Sequence, residues 1–250
     1  KQCVSSQKVW SPTNPVRFTL ANLNWLQIFL FGVYPYIALT IAIVGTWVRF
    51  DLSQYSWKTG SSQMLRKKNM RLASNLFHVG IIVVLLGHFV GMLTPHFIYE
   101  PFISAGNKQI LAVVVGGMAG VFCWIGMVML IWRRFADDRI SHTSSFSDKL
   151  VLILLFIQLN LGLISIFTSI KHLDGLTMMN LAGWAQDITI LRPWQAAARI
   201  EQADLIYQLH MALGITLIAI FPFTRLIHII SAPIWYLGRR YQIVRQKRSQ

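Results

Sequence analysis

Five stretches of this chain are so long and so apolar that each has to be read as a helix crossing a membrane. They lie near Leu26–Val48, Leu72–Thr94, Ile110–Trp132, Leu150–Ile170 and Leu205–Trp235. About twenty apolar residues in helical form cover the roughly 30 Å of hydrocarbon in a bilayer. The fifth stretch exceeds that need and should tilt or project from the membrane. The composition agrees: 54% of the 250 residues are hydrophobic and 13% are charged, where a soluble domain carries roughly 25% charged residues. The expected architecture is an all-α membrane protein, a five-transmembrane-helix bundle over 25–235. A polar N-terminal segment, 1–24, precedes it and a basic tail, 236–250, follows it.

Charge sets the expected orientation. Of the 23 basic residues, six lie in 49–71, four in 133–149 and six in 225–250, all on one side of the membrane. The remaining seven are Lys1, Lys8, Arg17, Lys108, Lys171, Arg192 and Arg199, all on the other. The positive-inside rule then places the N-terminus outside (periplasmic) and the C-terminus in the cytoplasm. A net charge of +14 would suggest nucleic acid in a soluble protein. Here the basic residues flank apolar spans, so topology and anionic membrane lipid account for them and no nucleic-acid partner is expected. The two cysteines, Cys3 and Cys123, sit in a polar tail and an apolar span. That placement argues against a mutual disulfide, and their spacing argues against an iron–sulfur cluster or a c-type haem.

Within two of the apolar stretches lie four histidines. A histidine inside a membrane is costly to bury and is a functional-site hypothesis by default. His78 and His88 are ten residues apart on the second span, about 15 Å of helical rise. His210 and His228 are eighteen apart on the fifth, which in one unbroken helix is five turns, one face and about 27 Å of rise. The two spans run antiparallel, so depth pairs His88 with His210 and His78 with His228. The unequal rises require the helices to tilt or the metal planes to incline.

Two depth-matched pairs suit bis-histidine haem b, which takes one imidazole on each side of a flat macrocycle. Gly80, Gly87, Gly91 and Gly214, close to the histidines, offer backbone against which a porphyrin can lie. Zinc would need two further ligands per pair, and no cysteine or carboxylate is nearby. Arg225, three residues before His228, and Arg134, at the end of the third span, are candidate partners for haem propionates. Both also fit as positive-inside anchors. Lys108 lies at the depth of His88, where it suits either a hydrogen bond to a quinol oxygen or ordinary snorkelling. Gly116, Gly117, Ala119 and Gly120 suggest close helix packing. Pro35 and Pro222 should kink their spans, and Met178–Leu191 is a candidate interfacial helix. A proton-coupled transporter would need intramembrane carboxylates, which the five spans lack. A passive anchor leaves four buried histidines unexplained.

At these residues the chain resembles the gamma subunit of respiratory nitrate reductase, a membrane di-haem cytochrome b that oxidises quinol. The matching stretches include YPYIA (34–38), SSQML (61–65), ASNLFH (73–78), GMLTPH (91–96), GWAQ (183–186), FPF (221–223) and RL-x-H (225–228). The resemblance implies that His78 and His228 bind a proximal haem b and His88 and His210 a distal one. It implies a quinol site at Lys108, His88 and Gly87, and a propionate contact at Arg134. It further implies residence in the cell inner membrane. The implied partners are an iron–sulfur beta subunit and a molybdenum alpha subunit on the cytoplasmic side, with the basic tail as a docking element. Related di-haem subunits serve other terminal oxidoreductases, so the terminal acceptor stays open at this level. Residues 1–24 and the stretch Arg192–Gln202 depart from the family pattern.

Overall fold

A computed structural model of the chain describes residues 24–57, 69–171 and 173–231. Residues 1–23, the SSQML stretch, His172, Trp235 and the tail 236–250 lie outside the described residues. Among the described residues, five helices are long and apolar enough to cross a membrane: α1 (Trp25–Ser56), α2 (Met70–Leu93), α3 (Ala105–Ala136), α4 (Phe146–Lys171) and a fifth segment, Leu205–Phe223. Between α4 and that segment lie α5 (Leu176–Thr189) and α6 (Pro193–Ile200). The fifth segment is α-helical, as α7, over Leu205–Ile220. The helix expected over Met178–Leu191 is α5, and the divergent Arg192–Gln202 stretch holds α6.

Lipid is as apolar as leucine, so helix association in a membrane rests on close fit and not on burial of apolar area. The α2–α3 crossing follows that rule. A Cβ on Gly126 would lie 2.4 Å from the Phe77 backbone nitrogen, and one on Gly80 would lie 2.6 Å from the backbone of both Ala119 and Cys123. The two backbones touch where these glycines sit, and any larger residue would force them apart. Gly80 therefore serves the helix crossing and not a cofactor, contrary to the expectation above. Gly120 likewise admits Leu163 of α4. Cys123, Met127 and Leu159 fill the α3–α4 seam, and Ala38, Ile215 and Ala219 fill the α1–α7 seam. Cys123 is buried and free.

Both prolines mark departures from regular helix. Pro35 follows a π-helical turn at Phe29–Val33, a widened turn that accommodates the missing N–H and the bulk of the ring. Pro222 does more. After Ile220 the chain tightens into a 3-10 turn, Phe221–Phe223, becomes extended at Thr224 (φ −118°, ψ 177°), and re-enters a 3-10 turn at Arg225–Ile229. The expectation of one helix carrying His210 and His228 on a single face five turns apart is therefore corrected. The helix stops between them because Pro222 removes a donor and Thr224 leaves the helical region. The Thr224 side chain then caps the next turn by accepting from Leu226 N.

Arg49 of α1 secures this break. Its Nη1 donates to the carbonyl oxygens of Pro222 (2.6 Å) and Thr224 (2.9 Å), and its Nε and Nη2 donate to the hydroxyl and carbonyl of Ser56. Carbonyls released by a broken helix must find donors when water is scarce, and this guanidinium supplies them.

At the opposite end, α5 and α6 form a cap. Ala196, Ala197, Ala198 and Ile200 are buried, and a Cβ on Gly32 would lie 2.8 Å from the Pro193 carbonyl, so α6 presses on the π-turn of α1. The GWAQ stretch ties the cap down. Gly183 leaves room for the Arg199 guanidinium, which pairs with Asp187 at 2.5 Å. Trp184 donates to the Phe31 carbonyl (2.9 Å), and Gln186 donates to the carbonyls of Met92 and Thr94 (3.0 and 3.3 Å).

Candidate functional site

The four histidines meet as two facing pairs. The ring centres of His88 (α2) and His210 (α7) are 6.1 Å apart, with ring planes inclined by 38°. Those of His78 (α2) and His228 (the 3-10 turn after α7) are 6.4 Å apart and inclined by 79°. The pairs are those that antiparallel depth predicts. The break at Thr224 reconciles the mismatch between ten residues on one strand of the site and eighteen on the other.

These separations fit a metal held between opposed imidazoles. A metal–nitrogen distance of roughly 2 Å, plus roughly 1 Å from nitrogen to ring centre on each side, puts the two ring centres roughly 6 Å apart. Among the described residues there is no cluster of three or more His, Cys, Asp or Glu suited to a metal. Each pair thus offers two protein ligands, too few for a tetrahedral zinc site but sufficient for the axial positions of a haem.

Three of the rings are oriented by their own segments. The Nδ1 atoms of His78, His88 and His228 lie 2.7, 2.8 and 2.6 Å from the carbonyl oxygens of Ser74, Val84 and Arg225. A carbonyl partner means that Nδ1 carries the proton, which leaves Nε2 with a free lone pair for a metal. His210 differs. No carbonyl of its own turn meets its ring, and α4 supplies its neighbours, including the main chain of Gln158. Gln158 Nε2 donates to the His210 carbonyl (3.1 Å), and a Cβ on Gly162 would lie 3.0 Å from His210 Cε1. Gly214 faces Gln158, with 3.1 Å between its Cβ position and Gln158 Nε2. It makes room for an amide and not for a flat ring.

Arg134 and Arg225 converge on Asp148 at the start of α4, at 3.8 and 3.7 Å, and Arg134 also donates to Ser144 Oγ (2.9 Å). Two guanidinium groups around one carboxylate leave a net positive charge beside the His78–His228 end. Lys108, in the first turn of α3, places its ammonium 3.6 Å from the centre of the Tyr99 ring. Tyr99 stacks edge-on with His96, whose Nδ1 is 3.0 Å from Glu100 Oε2. Burial, followed by the Glu100 charge, pushes the Tyr99 phenol above its usual value, so it stays protonated at neutral pH. A Cβ on Gly87 or Gly91 would meet no atom within 4 Å. The face of α2 around His88 therefore has open space where Gly80 has none. His142 lies in the short Asp138–Thr143 helix.

A match to the nitrate reductase gamma subunit family model extends over residues 27–247. The chain belongs to that family. It is 47% identical over 225 residues to the respiratory nitrate reductase 1 gamma chain of Escherichia coli (strain K12), covering 90% of this chain and all of that one. It is 44% identical over 226 residues to the respiratory nitrate reductase 2 gamma chain of the same organism, with 90% and 100% covered. Against the nitrate reductase gamma chain of Bacillus subtilis (strain 168) the identity is 36% over 219 residues, with 87% and 97% covered. As a member of the nitrate reductase gamma family, the chain is a membrane subunit of an oxidoreductase complex. Reading the sequence missed Arg49, Asp148, Gln158 and Gly162. Gln158 carried a signal, because a polar residue inside an apolar span is itself a functional hint.

Proposed function

We propose that this chain is the quinol-oxidising di-haem cytochrome b subunit of a respiratory nitrate reductase in the cell inner membrane. The observation that carries the reading is the pair of opposed imidazole couples at 6.1 and 6.4 Å, each spaced for one metal. His88 and His210 would hold a haem b near the outer face, and His78 and His228 one near the cytoplasm. When bound, these haems supply one-electron redox couples that link a two-electron donor outside to an acceptor inside. The partners are an iron–sulfur beta subunit and a molybdenum alpha subunit on the cytoplasmic side.

The chain's own residues do the rest. The Lys108 ammonium sits over the Tyr99 ring, placed to hydrogen-bond a quinol oxygen. The space at Gly87 and Gly91 lets a flat ring approach α2 beside His88. Arg134 and Arg225 provide positive charge for propionates, with Asp148 fixing their positions. Quinol protons leave on the outer side while electrons move inward, so oxidation separates charge across the bilayer.

A reduced-minus-oxidised absorbance spectrum of the purified chain, with haem counted per polypeptide, tests the reading. Two b-type haems, both reduced by added quinol, are expected. Folded protein without haem would overturn it.

A further inference from the structure

His96 stands just past the end of α2 that carries His88, and it belongs to neither histidine pair. It opens the helical turn His96–Tyr99, and its Nδ1 is 3.0 Å from Glu100 Oε2. A carboxylate partner keeps a proton on Nδ1, so in the neutral ring the basic lone pair is on Nε2. The His96 ring centre is 5.1 Å from that of Tyr99, with planes inclined by 68°. The same Tyr99 ring carries the Lys108 ammonium, 3.6 Å from its centre. One aromatic ring thus gathers a cation and an acid–base pair at the place read above as the quinol site.

The turn is held in place. Gln186 of α5 donates to the Met92 and Thr94 carbonyls at its entry, and Glu100 N closes it by donating to the His96 carbonyl at 3.0 Å. The His96 side chain is partly buried and that of Glu100 mostly exposed, so the pair leads from the protein toward water. Charge reaches the imidazole from Glu100 on its own turn and from Lys108 of α3 across Tyr99. On α5, Gln186 is neutral and Asp187 is paired with Arg199.

Oxidation of a quinol to a quinone breaks two O–H bonds and releases two electrons and two protons. A quinol hydroxyl is a weak acid, comparable to a tyrosine phenol with its ordinary value of about 10, so at neutral pH it needs a base. We propose that His96 is that base. This rests on the quinol reading above. Lys108 hydrogen-bonds one quinol oxygen and stabilises the negative charge that develops there. The O–H bond of that oxygen breaks as the Nε2–H bond of His96 forms, and Glu100 stabilises the resulting imidazolium. The imidazolium then gives its proton to water outside. The second hydroxyl releases its proton to water, and the two electrons pass singly to the acceptor inside. His96 is catalytic in this assignment, and Glu100 is a positioning residue.

The test is the pH profile of quinol-analogue oxidation by the assembled complex in native membranes, with kcat and KM separated and haem counted. The unaltered complex should show an acid limb, where His96 already holds a proton. His96→Gln should lower kcat by about 100-fold, the lower end of a general base's contribution, with KM little changed and both haems kept. Glu100→Gln removes the charge that favours the imidazolium, so the acid limb should move to lower pH. A raised KM at unchanged kcat in His96→Gln, or an acid limb unmoved in Glu100→Gln, overturns the proposal. If His96→Gln fails to assemble, the limb in Glu100→Gln decides alone, since that change is isosteric and exposed. If quinol is not oxidised by the unaltered complex, the quinol reading falls and His96 with it; quinol oxidation with silent variants sinks only the role of His96.

Discussion

Arg49 donates to the Pro222 carbonyl oxygen at 2.6 Å across 173 residues of sequence, and so binds the first span to the point where the last one breaks. The same guanidinium reaches Thr224 O and Ser56. His228 lies four residues past Thr224, so its approach to His78 depends on this break being held. Arg49→Ala strands both carbonyls at the break, Pro222 and Thr224, and that of Ser56, each costing about 1–3 kcal/mol when unsatisfied. The expected outcome is loss of the inner haem with the outer one kept, read as one haem per chain. A full complement in Arg49→Ala would show that the break holds without it.

The pairing makes a sharper claim. His88→Ala and His210→Ala should each deplete the same haem, and His78→Ala and His228→Ala the other. Spectra resolved by potential or by paramagnetic resonance distinguish the two. If His88→Ala and His228→Ala deplete one and the same haem, the pairing is wrong.

Lys108 contacts neither histidine pair through any bond described above, so its substitution should spare both haems. Lys108→Ala is expected to slow oxidation of a quinol analogue by about tenfold or more, the scale of one charge-assisted hydrogen bond worth about 1.5–3 kcal/mol. Steady-state kinetics beside a haem count are sufficient. Unaltered kinetics would return Lys108 to the role of a snorkelling surface lysine.

In the cap, the Asp187 side chain is 7% exposed and relies on Arg199. Removing one member of such a pair leaves a buried charge alone, at a cost of about 3–5 kcal/mol. Arg199→Ala should lower the thermal midpoint of the detergent-solubilised chain. Gly183→Ala should do the same, because its Cβ would sit 2.5 Å from Arg199 Nη1. A midpoint unchanged in both would mean that the cap is not stabilised by this pair.

What the sequence disclosed and what it hid divide along physical lines. Long apolar runs and antiparallel order are local or topological, so the five spans and both histidine pairs were legible. The course of the fifth span was half legible. Pro222 announced a kink, but a proline alone does not say whether a helix bends or stops, and Thr224 turning extended made it stop. Arg49 reads as one more cytoplasm-facing cation until its partners 173 and 175 residues away are known. Gln158 is inconspicuous in the sequence because the amide beside His210 carries no charge, whereas an intramembrane carboxylate stands out. Gly80 and Gly214 were expected to face a macrocycle and face protein instead, since a glycine's neighbours are set by how helices cross and not by its distance in sequence from a histidine.

The Nδ1 bonds of His78, His88 and His228 have a bearing on assembly. Each closes within three or four residues, so the ring is set as soon as its own turn forms, before any helix meets another. The rotational entropy of those three imidazoles is lost during secondary-structure formation, and capture of a metal need not oppose it again. His210 follows a different timetable, because the Gln158 and Gly162 that its ring and carbonyl meet belong to α4. The pair it forms with His88 becomes competent only after α4 and α7 have docked, which makes maturation of one end of the molecule a report on the completion of the bundle.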